Sequence, residues 1–396
     1  MDAANATSLA GNSRGGKSYL AAPVAALTEA PVPAARGRLG WRCDDGSVKS
    51  VRAVIEDHYD RWIGHGAGAV DLDILGTDQT DLLAELFEAF CIRELGELAV
   101  GGLFYAASAG CVLGVELESG DVVVIKAYQR RWRKPFLGAV QEAQQLLAAG
   151  GIPCPSPVLP PAEIRPPCPN LAVVETWVAD PGMRPGGSAA ARRVSAAGLA
   201  RQIALCLTLP DLERFSRHPL HSEDDALYGT PHSPLFDFER TGTGAEWIDD
   251  LARRAKRVRD WDTGPLVVAH TDWSARNVRF DEDRLLAVYD WDSLALVREA
   301  TALGQAAMSW SVTADPGGTE FPDLDSVLSY LADYQQARNR SFNAEQLRAA
   351  RAAAVYLLAY SARCEHSLAL QGVARADQDA ARRRLAELGT TLLAIR

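Results

Sequence analysis

Short apolar runs of β-forming residues follow one another early in the second hundred residues of the chain. Runs at 98–107, 111–117 and 122–128 are rich in Val, Leu, Ile, Phe and Tyr, and the polar sequence Glu-Ser-Gly-Asp at 118–121 separates the last two. Such runs, bounded by polar turn residues, are typical of strands and hairpins. The pattern predicts three strands, preceded by an amphipathic helix over 78–93.

The next segments change to helical spacing and then back to short apolar runs. Residues 134–149 carry apolar positions at helical intervals, and Gly150 and Gly151 provide a natural end to that helix. Two further runs, near 156–159 and over 171–178, have the length and composition of strands. The order strand, strand, strand, helix, strand, strand predicts a small sheet domain with one helix.

From residue 180 onward the apolar positions recur mainly at helical spacing. Only two strands are predicted in this half, one leading to Asp272 and the other to Asp290. The chain is therefore predicted to be α+β, with a sheet-containing part at 76–178 before a mostly helical part at 179–396. The predicted helical segments are 189–207, 245–258, 299–312, 324–337, 344–370 and 376–395.

The N-terminal segment is expected to be a disordered leader over residues 1–40, because it is rich in Ala, Gly, Ser and Pro. Its sequence at 11–18 matches the P-loop pattern, but no buried strand precedes it, as a P-loop requires. The weakly apolar stretch at 19–27 resembles a secretory signal, but Pro23 interrupts it. Residues 41–75 are predicted to form a small helical preface of unassigned role.

Composition narrows the class of protein. The 396 residues are 47% hydrophobic and 23% charged, as in a globular protein, and the net charge of −10 argues against a nucleic-acid partner. That charge is compatible with a cationic substrate. The seven cysteines form no Cys-x-x-Cys pair, which favours reduced thiols in a cytoplasmic protein. No apolar run approaches the length of a membrane span, so no membrane partner is expected.

The residues that follow the predicted strand at 266–270 carry the most functional information. Asp272 is followed by Asn277 at a four-residue gap, and a second apolar run at 285–289 leads to Asp290. Transfer of a phosphoryl group to a hydroxyl needs a carboxylate that accepts or orients the hydroxyl, and hard oxygen ligands for Mg²⁺. Asp272 suits the first task, and Asn277 and Asp290 suit the second. The alternative is two turns decorated with solvated acids, as 281–283 is expected to be.

These residues resemble the catalytic loop and metal-binding Asp of the aminoglycoside phosphotransferase family, which shares the protein-kinase fold and includes choline-kinase-like enzymes. The family commonly has His-Gly-Asp-x-x-x-x-Asn and then Ile-Asp-Trp-Glu. Here Thr271 replaces the Gly, Ser274 stands where a His is frequent, and Asp292 replaces the Glu. Asp292 could contact a second metal, cap the next segment or face the substrate. His270 is expected to be structural.

The resemblance implies a bilobal protein-kinase-like fold, with a small antiparallel-sheet N-lobe over 76–178 and a helical C-lobe over 179–396. It further implies that Lys126, at the end of the third strand, contacts the α- and β-phosphates of ATP. The chain has 5 lysines and 36 arginines, so a lysine at this position is informative. Glu142, the only acid in the helix at 134–149, is the expected partner of Lys126. The plainer alternatives are a solvated strand-end lysine and an exposed helix residue.

Two further parts of a nucleotide site follow from the same resemblance. The turn between the first two strands would approach the phosphates, and Ser108 could donate through its hydroxyl and its amide while Gly110 keeps the turn small. The strand at 171–178 would form the hinge, where backbone groups near Glu175 and Trp177 would pair with adenine. Trp177 is equally compatible with a plain core residue.

The sequence therefore predicts an ATP- and Mg²⁺-dependent O-phosphotransferase that acts on a hydroxyl of a small antibiotic-like or metabolite acceptor. One alternative is a housekeeping kinase for choline, an amino alcohol or a sugar derivative. Another is a catalytically idle nucleotide-binding regulator, although such proteins usually lose the lysine, the base or the metal ligands. The acceptor, the choice between ATP and GTP, and the oligomeric state stay open at this point.

Overall fold

The computed structural model describes residues 48–61, 68–181, 188–216, 226–281, 283–313, 321–372 and 379–395. The predicted leader at 1–40 lies outside the described residues, together with its P-loop-like sequence and the apolar stretch at 19–27. Residues 41–47 and 62–67 of the predicted preface also lie outside them.

The N-terminal lobe is built on a five-stranded antiparallel sheet with strand order β1-β2-β3-β5-β4. A four-residue turn joins β2 to β3, as the polar sequence at 118–121 predicts. Since β5 lies between β3 and β4, its backbone groups are paired on both sides. The strands are β1 (Ala99–Ala107), β2 (Gly110–Leu117), β3 (Val122–Tyr128), β4 (Pro157–Glu163) and β5 (Leu171–Thr176).

Three helices cover one face of this sheet. They are α1 (Val51–Arg61), α2 (Ala69–Leu75) and α3 (Thr80–Phe90), and a π-helical turn at Cys91–Leu95 follows them. They share one buried apolar cluster with the strands, in which Phe87 packs near Tyr105 and Ile125. Because side chains alternate along a strand, burial of Ile125 on this face directs Lys126 to the opposite one. The described residues of the preface are thus mainly helical, and they cover the back of the N-lobe sheet.

One helix, α4 (Lys134–Ala149), connects β3 to β4 and packs against β4 and the first helix of the second lobe. It begins and ends where the sequence predicts. Gly151, with a φ of 80°, lies just after its last turn, and a left-handed backbone of this kind suits glycine.

The second lobe is mostly helical. Its central element is the 27-residue α9, against which α6, α7 and α10 pack. Gly304 permits the close approach of α7 to α9, because a Cβ at this position would lie 1.9 Å from the carbonyl oxygen of Ala350. The helices are α5 (Ala189–Cys206), α6 (Glu246–Asp260), α7 (Glu299–Ser309), α8 (Leu324–Ala337), α9 (Ala344–Leu370) and α10 (Ala380–Ala394), with a 3₁₀ turn at Leu212–Phe215.

The prediction of only two strands in this half is wrong. The described residues contain four short strands, and β6 pairs with β9 while β7 pairs with β8. The strand before Asp290 is therefore paired with β7 and not with the strand before Asp272. The strand β7 was not predicted because three residues are too few to show a strand period. The strand β9 was not predicted because it runs directly into α7, without a turn between them. The strands are β6 (Leu266–His270), β7 (Val278–Phe280), β8 (Leu285–Val288) and β9 (Leu294–Arg298), with a 3₁₀ turn at Trp291–Ser293.

The predicted α+β arrangement, a small antiparallel-sheet lobe before a mostly helical one, is confirmed. None of the helices among the described residues has the length and apolar character to cross a membrane. The cysteines in the described part of the chain are all free thiols.

Candidate active site

A cleft of about 550 Å³ lies between the front of the N-lobe sheet and the helical lobe. On the N-lobe side it is lined by the β1–β2 turn and by Lys126. On the C-lobe side it is lined by the segment after β6, the segment after β8, and α9. Asp272, Asn277 and Asp290, predicted from a local sequence pattern, all line this one cleft.

The loop after β6 is closed by a bond between two of the predicted site residues. The Asn277 side-chain amide donates to Asp272 Oδ2 at 2.8 Å and to the Asp272 backbone carbonyl at 3.2 Å. This pair of bonds fixes the direction of the Asp272 carboxylate. An amide that donates through its nitrogen keeps its oxygen available as an acceptor or cation ligand.

His270 holds this loop to the neighbouring one. It is 1% exposed, and Nε2 lies 2.9 Å from the Tyr289 carbonyl oxygen. Its ring packs edge-on between the rings of Trp273 and Trp291, with centroid distances of 5.7 and 5.4 Å. Burial lowers the pKa of His270 below its usual value, so the ring is neutral near pH 7. This environment is that of a structural histidine.

Asp290 adopts a left-handed backbone, with φ 61° and ψ 48°. Among non-glycine residues, Asp and Asn tolerate this conformation best. It places the carboxylate in the cleft, where Ser293 Oγ donates to Oδ2 at 3.2 Å and Lys126 Nζ donates to Oδ1 at 3.3 Å. The turn after β8 thus delivers an acid directly to the lysine of β3.

Lys126 lies at the centre of a buried group of charges. Its Nζ is 3.3 Å from Asp290 Oδ1, 3.7 Å from Asp292 Oδ1 and 3.7 Å from Glu175 Oε2. Burial disfavours the cation, but the three carboxylates hold the pKa of Lys126 well above its usual value. Lys126 is therefore a permanent positive charge in the cleft.

Glu142 is not the partner of Lys126, so that expectation is wrong. Its side chain is half exposed and forms a two-pronged pair with Arg214, one contact of which is 3.0 Å long. Residues two positions apart lie on nearly opposite faces of a helix, so Gln144 is the residue of α4 that points inward. Gln144 Nε2 donates to Glu175 Oε1 at 2.8 Å, and both side chains are buried. The N-lobe acid beside the lysine therefore comes from β5, and the other two acids around it come from the helical lobe.

Some of the backbone groups expected at the hinge are engaged within the sheet. Glu175 lies in the interior strand β5, so its backbone pairs within the sheet and its side chain faces the cleft lysine. The Trp177 N–H donates to the Val122 carbonyl at 3.1 Å, which continues the pairing of β5 with β3. The Trp177 ring packs against Phe104 at a centroid distance of 5.8 Å. Neither the backbone of Glu175 nor the N–H of Trp177 is thus offered to a base.

The β1–β2 turn borders the cleft as predicted, but one of its donors is engaged. The Ser108 N–H donates to the Gly110 carbonyl at 2.9 Å, which leaves the hydroxyl of Ser108 as its cleft donor. Gly110 is required for packing, because a Cβ there would lie 2.8 Å from the Ala127 carbonyl oxygen. Ser108, Ala109 and Gly110 all line the cleft.

Arg279 is a site-supporting residue that the sequence did not reveal. It forms a bidentate ion pair with Asp180, at 2.8 and 2.9 Å, and both side chains are almost fully buried. Its Nη1 also donates to the carbonyls of Ala275 and Arg276 in the loop after β6. No local spacing could identify this pair, because the partners are 99 residues apart.

The oxygen atoms of Asn277, Asp290 and Asp292 are ligands of the type that Mg²⁺ prefers. Among the residues that the structure describes, no group of three or more His, Cys, Asp or Glu side chains could hold a metal ion by itself. A Mg²⁺ site commonly needs only one or two carboxylates, completed by substrate phosphates. Burial and the neighbouring Asp290 raise the pKa of Asp292 well above its usual value, a repulsion that a bound cation would relieve. The donor set fits Mg²⁺ held together with a nucleotide.

No protein-family profile and no curated protein sequence matches the chain. Amicoumacin kinase hAmiN, in complex with AMP-PNP, Ca²⁺ and Ami, aligns with a TM-score of 0.53 at 11% identity, over 81% of this chain and 96% of that one. A thermostable mutant of aminoglycoside phosphotransferase APH(4)-Ia, in its apo form, aligns with a TM-score of 0.48 at 13% identity, over 78% of this chain and 100% of that one. At these identities the likeness concerns the fold. The chain therefore shares the bilobal kinase-like fold of amicoumacin kinase hAmiN.

Proposed function

We propose that the protein is an ATP- and Mg²⁺-dependent phosphotransferase whose acceptor is a hydroxyl group of a small molecule. The observation that carries this proposal is the meeting of Asp272, Asn277, Asp290 and Lys126 in one cleft between the lobes. These four residues supply a proton acceptor, two oxygen ligands and a phosphate-binding cation, which are the groups that phosphoryl transfer requires. If these residues had only structural roles, we would not expect four such groups from two lobes to meet in one cleft.

In this proposal Lys126 contacts the α- and β-phosphates, and Glu175 positions its ammonium group. The short β1–β2 turn borders the phosphates, with the Ser108 hydroxyl as a donor. Asn277 and Asp290 hold Mg²⁺, which supplies positive charge that neutralises the phosphates.

Asp272 accepts the proton of the acceptor hydroxyl. A bond forms between that hydroxyl oxygen and the γ-phosphorus, and the bond from the γ-phosphorus to the bridging oxygen breaks to release ADP. The bond from Asn277 keeps the Asp272 carboxylate turned toward the cleft, which is what a positioned base needs. Amicoumacin kinase hAmiN, in complex with AMP-PNP, supports an adenine nucleotide as the donor.

A catalytically idle nucleotide-binding regulator is the second candidate. The cleft retains the lysine, the base and the metal ligands, whose loss is usual in idle relatives, and this favours an active enzyme. A kinase for choline, an amino alcohol or a sugar derivative would use the same residues and differ only in the acceptor.

Thermal unfolding with ATP, in the presence of Mg²⁺ and then of EDTA, tests the nucleotide site. We expect ATP with Mg²⁺ to raise the melting temperature more than ATP with EDTA. Release of ADP is then measured with pools of hydroxyl compounds, for the native protein and for Asp272→Asn. The variant keeps its shape but loses the proton acceptor, so transfer should fall by about 10²-fold or more while ATP binding persists. A variant that retains half the rate would show that Asp272 is not the base.

A further inference from the structure

The preface helix α2 carries a buried acid that the proposed reaction does not use. The side chain of Asp71 is 0% exposed, and its carboxylate accepts hydrogen bonds from three other side chains. The Tyr59 hydroxyl donates to Oδ2 at 2.9 Å, and the Tyr105 hydroxyl and the Cys111 thiol both donate to Oδ1, the thiol at 3.4 Å. Burial of an acid in an apolar cluster is costly unless its oxygens are paired, so these bonds fix Asp71 in place.

The two donors to Oδ1 come from the two strands that carry the β1–β2 turn. Tyr105 lies near the end of β1, and Cys111 follows Gly110 at the start of β2. The strands are paired at this point, with Ala107 opposite Cys111. One oxygen of Asp71 is therefore bonded both to the strand that enters the turn and to the strand that leaves it. A displacement of α2 would disturb both ends of the turn.

The same helix also contacts the helical lobe. Ala69, in the first turn of α2, packs against a small apolar cluster of that lobe. The members of this cluster come from α9 and from the connection that precedes α6, and they are Leu235, Phe236, Cys364 and Leu368. Residues two positions apart lie on nearly opposite faces of a helix. The helix can therefore hold the sheet with Asp71 and the helical lobe with Ala69.

The connection that precedes α6 is bonded to the N-lobe as well. The Gln129 side chain donates to the His232 carbonyl at 3.1 Å, and Arg131 donates to the Pro231 carbonyl at 2.9 Å. Both donors lie just after β3. Burial lowers the pKa of Arg131, and the nearby acid Asp73 of α2 acts against this change. The helix α2, the segment after β3 and the connection before α6 thus form a junction between the lobes, in addition to the covalent connection after β5.

We propose that α2 couples this junction to the β1–β2 turn, with Asp71 as the positioning residue. The inference rests on the proposed phosphotransferase function, in which the turn borders the phosphates, and it gives the preface a role in nucleotide binding. While Ala69 is packed on the helical lobe, α2 stays in place and Asp71 holds the two strand ends. Displacement of α2 loosens the turn, so that the Ser108 hydroxyl loses its position beside the phosphates. Because coupling between two sites is reciprocal, nucleotide bound at the turn also stabilises the junction.

Two substitutions at opposite faces of α2 test this coupling. Asp71→Asn keeps the size of the side chain but replaces one accepting oxygen with a donating amide. Ala69→Glu places a carboxylate against the apolar cluster of the helical lobe and changes no residue of the sheet. Hydrogen exchange of the backbone amides at 107–112 is measured on the nucleotide-free full chain, and calorimetry gives the Kd of AMP-PNP with Mg²⁺. We expect both variants to exchange faster in the turn and to bind AMP-PNP about fivefold more weakly, or worse.

The control is an alanine in the first turn of another preface helix. Ala53 of α1 is a member of neither the N-lobe cluster nor the cluster around Leu235, and Ala53→Glu introduces the same charge. It should leave both the exchange in the turn and the Kd of AMP-PNP unchanged. Melting temperatures show whether each variant is folded. If Asp71→Asn does not fold, Tyr59→Phe replaces it, because this change removes one of the three donors and keeps the ring.

The decisive comparison is Ala69→Glu with the native protein. A role of Asp71 in stability alone predicts no effect of Ala69→Glu on the turn, so native exchange and native affinity in this variant would overturn the coupling. Combining Ala69→Glu with Tyr59→Phe should have less effect on the Kd than the sum of the two separate changes, and simple additivity would also contradict it. Should AMP-PNP with Mg²⁺ fail to bind the native protein, the proposed function is wrong, whereas exchange in the nucleotide-free turn still decides whether α2 positions it.

Discussion

Asp180 and Arg279 join the connection between the lobes to the loop that carries Asp272. The guanidinium bridges both carboxylate oxygens, and it also donates to two backbone carbonyls of that loop. Its face lies over the ring of Tyr289, with the Cζ 5.4 Å from the ring centroid. One buried arginine thus ties together the segment that enters the helical lobe, the loop after β6 and the residue before Asp290.

Asp180→Ala should lower the free energy of unfolding by about 3–5 kcal/mol, because it leaves the Arg279 charge buried without its carboxylate. Denaturant unfolding of the full chain measures this change. Arg52→Gln removes an exposed pair with Glu56 and should change stability hardly at all. Similar stabilities for Asp180→Ala and the native protein would mean that the buried pair does not hold the loop.

Glu175→Gln should reduce kcat/KM for ATP by about 10- to 100-fold, since a lysine without its fixed acid is misplaced on the phosphates. Glu142→Gln is the matched control on α4 and should be silent, because its partner Arg214 lies outside the cleft. Steady-state kinetics of both variants, with melting temperatures as a check on folding, make the comparison. Loss of activity in Glu142→Gln alone would restore the helix acid as the partner of Lys126.

Lys126→Ala should abolish most ATP turnover, because it removes the buried cation of the phosphate end. Lys17→Ala changes the P-loop-like sequence of the leader and should be without effect. The two variants are compared in one ATP-turnover assay, and deletion of residues 1–40 provides a further control. If Lys17→Ala were the damaging substitution, the nucleotide site would have to be built on the N-terminal segment.

Glu365 makes stability depend on pH. Its carboxylate accepts the Ala381 and Arg382 N–H groups at the start of α10, but burial raises its pKa to about 7. The folded state therefore binds a proton between about pH 4.5 and 7 that the unfolded state has released, and stability falls as the pH rises through this interval. We expect the stability of the native protein relative to Glu365→Gln to fall by about 3 kcal/mol from pH 4 to pH 8. Denaturant unfolding of both proteins at each pH gives this difference, and a constant difference would contradict the assignment.

Local sequence patterns correctly predicted those site residues that are close together both in the sequence and in the structure. Asp272 and Asn277 lie in one loop, so their spacing alone defines their relationship. The partner of Lys126 could not be found in this way, because it depends on the register of β5 beside β3, which places Glu175 next to the lysine. An acid on the helix was the natural expectation, but the helix turns Glu142 outward.

The length of an element likewise explains which helices and strands could be predicted from local sequence and which could not. Three long helices, α4, α8 and α9, show their period over several turns and begin and end where the sequence indicates. The ends of α6 and α10 differ by one to four residues from the predicted ones. The three residues of β7 show none. Arg279 and Asp180 are each unremarkable in their local sequence, and only the folded chain brings them together.

Glu175, one of the three acids around Lys126, belongs to the same sheet as the lysine. In protein kinases the corresponding acid is on a helix whose position is under regulatory control, so the contact can be made and broken. Here Glu175 lies on a strand that is hydrogen-bonded to a neighbour on each side. Separating it from Lys126 would require disrupting the sheet itself. The contact between Glu175 and Lys126 therefore forms as soon as the N-lobe folds, whereas Asp290 and Asp292 reach the lysine from the helical lobe. In the proposed phosphotransferase, this strand-to-strand contact offers no on–off switch.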